Sequence, residues 1–448
     1  MGGDMLNAIK YISTVPLSGL FNWSVQYLND SKIAFSKAYP MMRIGEFLKR
    51  NKTAVTIQDG VKYKRVTIKV RNGGVVPRDE VMGEHIGTKK QFLVYKGQFI
   101  LSKIDARNGA MGIIPTELDG AVVTQDFLPY DIDTTKVNPQ YFVLVCTTKQ
   151  FIAFCQSCSS GTTNRQRVDE AQFLNIKVPV PSLDEQNKLV EEYNKTIAKA
   201  DDLVKECQET DLNILRYFNK SVGLKQATRQ VKLLSTMRYA DISNRWDPFV
   251  LTNGLSADVP IYPLGSFITD IATGTTPPTS KKEYFNGNVK FYTPSDISGR
   301  LFLVDSERTL TKKAIEDKKA RVFHKGDILF VGIGSTVGKV GIVHDEIVSS
   351  NQQITGFTLN DSLILPEYAF YFLHYHKEIS VSEQSKTTLP IVNQEKIANI
   401  PIPIPTISQQ KEMARHMNNM REKIDELYKQ SIECRKKALK NFETQIFE

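Results

Sequence analysis

A chain of 448 residues exceeds what one compact core usually organises, so two or more domains are expected. Its 41% hydrophobic and 24% charged residues exclude a disordered or collagen-like chain, and its formal net charge of +9 only hints at an anionic partner until the distribution is seen. No apolar run nears the roughly 20 residues that cross a bilayer, and the start MGGDMLNAIK lacks a basic-then-apolar signal pattern, so no membrane is expected and the cytoplasm is the expected compartment.

Residues 1–39 form a lead segment containing Trp23. A first domain is expected over 40–181. Its runs YKRVTIKV (63–70) and QFLVYKGQFIL (91–101) read as strands, and NPQYFVLVCTTKQFIAFC (138–155) as a helix started after a proline. Between residues 40 and 107, fifteen basic residues face six acidic ones, a local excess of +9. A polyanion partner fits that excess, and a solvated basic face is the plainer alternative. The strip Val178 to Pro181 closes the domain, and a long helix follows over 182–222. A linker and second lead segment, 223–259, carries Trp246. The second domain is expected over 260–405, with a strand in GDILFVGIG (326–334), a helix in LPEYAFYFLHYHKEIS (365–380) and the strip Ile400 to Pro405; a second long helix takes 406–448.

The two halves repeat one another. Residues 96–114, KGQFILSKIDARNGAMGII, lie without a gap over 325–343, KGDILFVGIGSTVGKVGIV, sharing Lys96/Lys325, Gly97/Gly326, Ile104/Ile333, Gly109/Gly338, Gly112/Gly341 and Ile113/Ile342. Downstream, Pro139 and Tyr141 match Pro366 and Tyr368, and NIKVPVPSLDEQ (175–186) matches NIPIPIPTISQQ (399–410). A period near 225 residues is too long for a solenoid, so each copy is a domain.

Both long helices open with a capping-box signature, Ser182 with Glu185 and Thr406 with Gln409. Spacings of four and three then give a heptad seam of Leu189, Tyr193, Ala200, Leu203 and Cys207 in the first helix, with Thr196 and Thr210 among them. The second helix offers Met413, Met417, Met420, Ile424, Leu427 and Cys434, with Ser431 and Asn441. About forty residues at 1.5 Å rise make a rod of about 60 Å. The seams are polar enough to favour packing on each other, antiparallel about a pseudo-twofold axis, over packing of each helix on its own domain alone.

Several motifs invite chemistry and fail. GIGSTVGKV (332–340) misses the P-loop spacing, since Ile333 stands where a glycine is needed and Val340 replaces the hydroxyl residue; a strand-turn-strand with glycines at the bend suits it better. NPQY (138–141) carries Gln140 where a methyltransferase NPPY box has proline, and the second copy reads LPEY. Cys155 and Cys158 form a lone CxxC near Cys146 with no partner histidine, so no metal site is expected. His374 and His376 suit packing, and no catalytic triad or repeated carboxylate pair is found. The chain reads as non-catalytic, with no cofactor of its own.

GTTPPTSKKEYFNGNVKFYTPSDISG (274–299), the 325–343 block, SSNQQITGF (349–357), LPEYAFYFL and IANIPIPIPTISQQKEMA (397–414) together resemble a target-recognition domain and following helix of type I restriction-modification specificity subunits. The first copy resembles it more weakly and lacks the TPPT element. The resemblance implies an α+β fold: two tandem mixed α/β target-recognition domains, each followed by a long helix, the helices packed as an antiparallel coiled coil. It implies one DNA half-site per domain, a helix pair acting as spacer, and no active site in this chain. It also implies two modification subunits that bind S-adenosylmethionine and methylate adenine, and two motor-nuclease subunits that cleave DNA, so that S-adenosylmethionine, ATP and Mg belong to partners.

Double-stranded DNA calls for basic side chains on phosphates and polar ones on base edges. In the first domain the candidates are Lys62, Lys64, Arg65, Lys69, Arg71, Arg78, Lys89, Lys90, Lys103 and Arg107. In the second they are Lys281, Lys282, Lys290, Ser295, Asp296, Arg300, Ser335, Thr336 and Lys339, with Asp296 suited to accept from cytosine. Alternatives are the specificity subunit of a different methylating defence system, a stand-alone DNA methyltransferase or nuclease, and a protein-binding scaffold.

Overall fold

The computed structural model describes residues 39–148, 151–152, 155–156, 159–160, 167–226, 255–381 and 391–447. Trp23, Trp246, Cys158, the lead segment up to residue 38 and most of the 223–259 linker lie outside the described residues. The chain divides into two units, 1–203 with 429–448 and 204–428.

In the first unit, β1 (Met41–Arg43) pairs with β11 (Lys177–Pro179), which ties the domain's start to its closing strip. A four-stranded sheet runs β2 (Leu48–Arg50), β10 (Phe127–Ile132), β7 (Phe99–Ser102), β8 (Met111–Ile113). A five-stranded sheet runs β3 (Ala54–Thr56), β6 (Lys90–Val94), β9 (Ala121–Val123), β4 (Lys62–Ile68), β5 (Val75–Met82), and β4 lies parallel to β9. Residues 91–101 therefore form two strands in different sheets. Gly97 at φ 82° turns the chain between them, a backbone state that residues with a Cβ seldom adopt.

The second unit repeats this plan. β12 (Ile261–Pro263) pairs with β22 (Pro401–Pro403), closing the domain as β1 and β11 do. One sheet orders β13 (Ile268–Thr273), β21 (Ile354–Leu359), β18 (Ile328–Val331), β19 (Val340–Val343), β15 (Phe302–Leu303). The other orders β16 (Arg308–Leu310), β14 (Phe285–Tyr292), β20 (Ile347–Ser350), β17 (Val322–His324), with β14 parallel to β20 as β4 is to β9. The GIGSTVGKV segment is the bend between β18 and β19, as its glycines suggested.

Helices sit at matching places: α1 (Pro139–Thr147) and α2 (Glu170–Asn175) in the first domain, α4 (Pro366–Tyr375) and α5 (Gln394–Ala398) in the second. Asn138 caps α1 by accepting from the amides of Gln140 and Tyr141, which accounts for NPQY as a helix start. α1 ends at Thr147, where Thr148 turns extended and breaks the run read as helical from sequence, and the described residues 151, 152 and 155 of that run are helical again. α4 likewise stops at Tyr375, where His376 leaves the helical region, and a short helix (Lys377–Val381) follows. The tyrosine after each starting proline is buried, Tyr141 donating to the Pro179 carbonyl (3.0 Å) and Tyr368 to that of Pro403 (2.6 Å).

The long helices are α3 (Leu183–Val222) and α6 (Ile407–Phe447). Thr406 and Gln409 form the full reciprocal box (3.4 and 3.0 Å), and the Ser182 hydroxyl accepts from the Glu185 amide at 3.3 Å. Within the first unit the start of α3 meets the end of α6 antiparallel. Tyr193 lies edge-on to Phe442 with centroids 6.4 Å apart, Ser431 donates to the Ala200 carbonyl at 3.0 Å, and Arg435 pairs with Asp201. Within the second unit the end of α3 meets the start of α6, also antiparallel. The Cys207 thiol approaches the Ile424 carbonyl at 3.5 Å, Lys423 pairs with Glu206 at 2.7 Å, and Tyr217 packs on His416.

Leu189, Ala200, Cys207, Met413, Met417 and Leu427 are buried, and Tyr193, Leu203, Met420, Ile424 and Cys434 half-buried. Asn441 is exposed, and its neighbour Phe442 takes the inward position. Each domain core takes side chains from both helices. Leu189, Val190, Phe442 and Ile446 join the first core around Phe99, Phe142 and Phe173. Ile214, Phe218, Met413 and Met417 join the second around Tyr368 and Phe372. A fully buried phenylalanine such as Phe218 contributes about 2 to 3 kcal/mol.

Candidate nucleic-acid interface

Three loops of the second domain converge at the ends of its sheets. After β14, the Asp296 carboxylate locks a turn by accepting from the Thr293 amide and hydroxyl (2.7 Å each) and from the Glu307 amide (2.9 Å). Between β18 and β19, the Gly338 amide donates to the Val331 carbonyl at 2.9 Å. Gly338 has φ 88°, and a Cβ there would meet the Lys377 and Val381 side chains at 2.8 Å, so this bend demands glycine. Between β20 and β21, the Gln353 carbonyl accepts from the Gly332 amide at 2.8 Å and joins the second and third loops. The loops enclose an open cleft of about 510 Å³, lined by Ser295, Ser335, Thr336 and Lys339 from the sequence-derived set, and by Arg308, Asn351 and Gln353.

The remaining second-domain candidates fall elsewhere. Asp296 is committed to its own turn. Lys290 pairs with Asp345 at 2.6 Å and donates to the Val304 carbonyl. Lys281 is exposed over the Tyr284 ring, 5.7 Å from its centroid, and Lys282 and Arg300 are exposed outside the cleft. Sequence reasoning missed Arg308, Asn351 and Gln353; the polar run SSNQQ between two apolar strands was the available signal.

The first domain brings the corresponding loops together: residues after β4, between β7 and β8, and between β9 and β10. The Arg71 amide donates to the Asn108 carbonyl at 2.6 Å, and the Lys103 amide to the Asp126 carbonyl at 2.8 Å. Lys69, Arg71, Lys103 and Arg107 thus belong to this loop cluster. Gly109, the counterpart of Gly338, has φ 77°, and a Cβ there would stand 2.6 Å from the Asn72 side-chain oxygen.

Other basic candidates serve the β4–β5 ribbon and its surroundings. Lys62 pairs with Glu80 at 2.6 Å, Arg65 forks onto Asp79 at 2.7 and 2.6 Å with Arg78 at 3.9 Å, and Lys89 holds Asp59 at 2.6 Å. Hydrogen bonds from Arg65 and from Lys62 hold the Asp79 and Glu80 carboxyls below their usual range. Lys64 donates to the Glu117 carbonyl at 2.9 Å, and Lys90 is exposed at the start of β6.

Cys146 and Cys155 are buried in the first core, and burial raises the Cys146 thiol well above its ordinary value. His376 is buried, with one ring nitrogen 2.7 Å from the Asn219 side-chain oxygen. Among the described residues no cluster of metal-ligating side chains occurs, and no helix is long and apolar enough to cross a membrane.

Two copies of one α/β domain, each followed by a long continuous helix and each presenting the same three-loop cluster, define a duplicated domain-and-helix architecture. The Type I restriction modification DNA specificity domain matches residues 30–230 and 261–434, and the chain belongs to that family. It is 28% identical over 183 residues to the type I restriction enzyme MjaIX specificity subunit of Methanocaldococcus jannaschii, covering 39% of this chain and 41% of that one. It is 24% identical over 303 residues to the MjaVIII specificity subunit of the same organism, covering 64% and 66%. The chain therefore spans less than two thirds of these two relatives. A chain from a solved structure concerned with complex assembly and conformational transition of the type I R-M system shares the fold, with a TM-score of 0.51 at 16% identity over 92% of this chain and 97% of that one.

Proposed function

We infer that the chain is the DNA-reading specificity subunit of a type I restriction-modification complex, each domain recognising one half of a split target. The observation that carries this reading is the loop cluster repeated by duplication: one scaffold, the same bends, and different side chains at the cleft. Lys69, Arg71, Lys103 and Arg107 in the first cluster and Arg308 and Lys339 in the second are suited to phosphate or guanine contacts, and hydroxyl and amide side chains to base edges. The helix pair acts as spacer and as docking platform for two modification subunits, with two motor-nuclease subunits joining them. The chain contributes no catalytic group; S-adenosylmethionine, ATP and Mg are held by the partners. Mapping methylated adenines across the genome with and without this gene tests the reading. A split motif that disappears with the gene supports it, and an unchanged methylation pattern refutes it.

A further inference from the structure

One position in the loop cluster is held in the same backbone slot in both domains and filled by chemically different side chains. The Gln353 carbonyl takes the Gly332 amide at 2.8 Å, and the Asp126 carbonyl takes the Lys103 amide at 2.8 Å. Two residues earlier the Asn351 carbonyl takes the Ile354 amide at 3.1 Å, matching Thr124 and Phe127 at 3.1 Å. The main chain is thus equivalent, with an amide side chain in the second domain and a carboxylate in the first.

The side-chain settings differ as sharply. Asp126 is neutralised by Arg167, whose guanidinium lies at 3.1 and 3.2 Å. Gln353 lines the cleft, and its amide orientation is set by Asn351. The Asn351 side-chain nitrogen donates to Gln353 Oε1 at 3.0 Å, and Asn351 Oδ1 accepts from the Gln353 backbone amide at 3.1 Å. With Oε1 identified as the acceptor, Nε2 lies over the bend at Gly334, 3.5 Å from where a Cβ on that glycine would stand. The side chain therefore offers the cleft an N–H donor and the second lone pair of Oε1, side by side in one plane. Adenine presents the complementary pair at its major-groove edge, the N7 acceptor beside the N6 amino donor.

We propose that Gln353 reads an adenine in the half-site of the second domain, with Asn351 as its positioning residue. The proposal rests on the DNA-reading function above. The test is genome-wide adenine-methylation mapping in cells carrying the wild-type gene, Gln353→Ala or Gln353→Glu. Alanine should relax one adenine position of the second half-site, with discrimination there falling roughly ten- to a hundredfold, and leave the first half-site unchanged. Glutamate, an acceptor only, should move that position toward cytosine, whose amino group donates. An unaltered motif in both variants overturns the proposal. Loss of all methylation in both, with the chain still folded and present, also overturns it by making the residue structural. Absence of any split motif in wild-type cells would instead sink the reading on which it rests.

Discussion

Gln186 and Gln410 occupy equivalent places in the first turn of each long helix, and both are fully buried. Gln186 accepts from the Asn138 amide (2.8 Å) and donates to the Lys136 and Pro181 carbonyls (3.0 and 2.8 Å). Gln410 does the same with the Leu365 amide and the Leu363 and Pro405 carbonyls. Each clasps the helix start to the start of the shorter domain helix. Replacing either by alanine leaves buried backbone groups unpaired and should cost about 2 to 4 kcal/mol, read as a lower urea midpoint. Leucine, of similar size, should rescue little if hydrogen bonding is the cause.

His374 offers a second test. It stacks on Phe370 near Arg421, and burial, with Arg421 adding, lowers its pKa to about 4. An unfolded histidine titrates near 6.5, so between those values the unfolded chain binds more protons and stability falls as pH falls. The unfolding constant should gain up to about tenfold per pH unit over that window, and His374→Gln should flatten the added slope.

At the scale of elements, the glycine bends, proline-started helices and caps were legible because each is a demand of the local backbone. Gly109 and Gly338 recur since both bends need positive φ, and Pro139 and Pro366 since both helices begin there. The division of 91–101 into two strands was not legible, because an apolar run does not disclose which sheet each part joins. The long helices carry their own prediction. Inserting one turn, about 5.4 Å, in both α3 and α6 at matched positions should lengthen the unspecified gap of the target by one or two base pairs. The change would be read from methylation motifs, and an unchanged gap would show that the helices do not set the spacing.

For the molecule as a whole, charge acts through its distribution. Ion pairs within residues 40–107 tie Lys62, Arg65, Arg78 and Lys89 to acids of the same stretch, so its net excess is unchanged and rests on the basic groups outside those pairs. Binding to duplex DNA should still weaken with salt, log K falling linearly with log salt at a slope set by the phosphates contacted. Gel shifts from 50 to 200 mM salt would measure it, and a flat response would count against phosphate contacts. The sequence alone determined the duplication, the domain type and the helical rods, because repeated spacing and local backbone demands are written along the chain. Only the tertiary structure decided that Lys62 answers Glu80 and Arg65 answers Asp79, and that residues near 295, 335 and 353 share one cleft. Those outcomes depend on strand register and sheet closure, which bring distant residues together through contacts that no local pattern encodes.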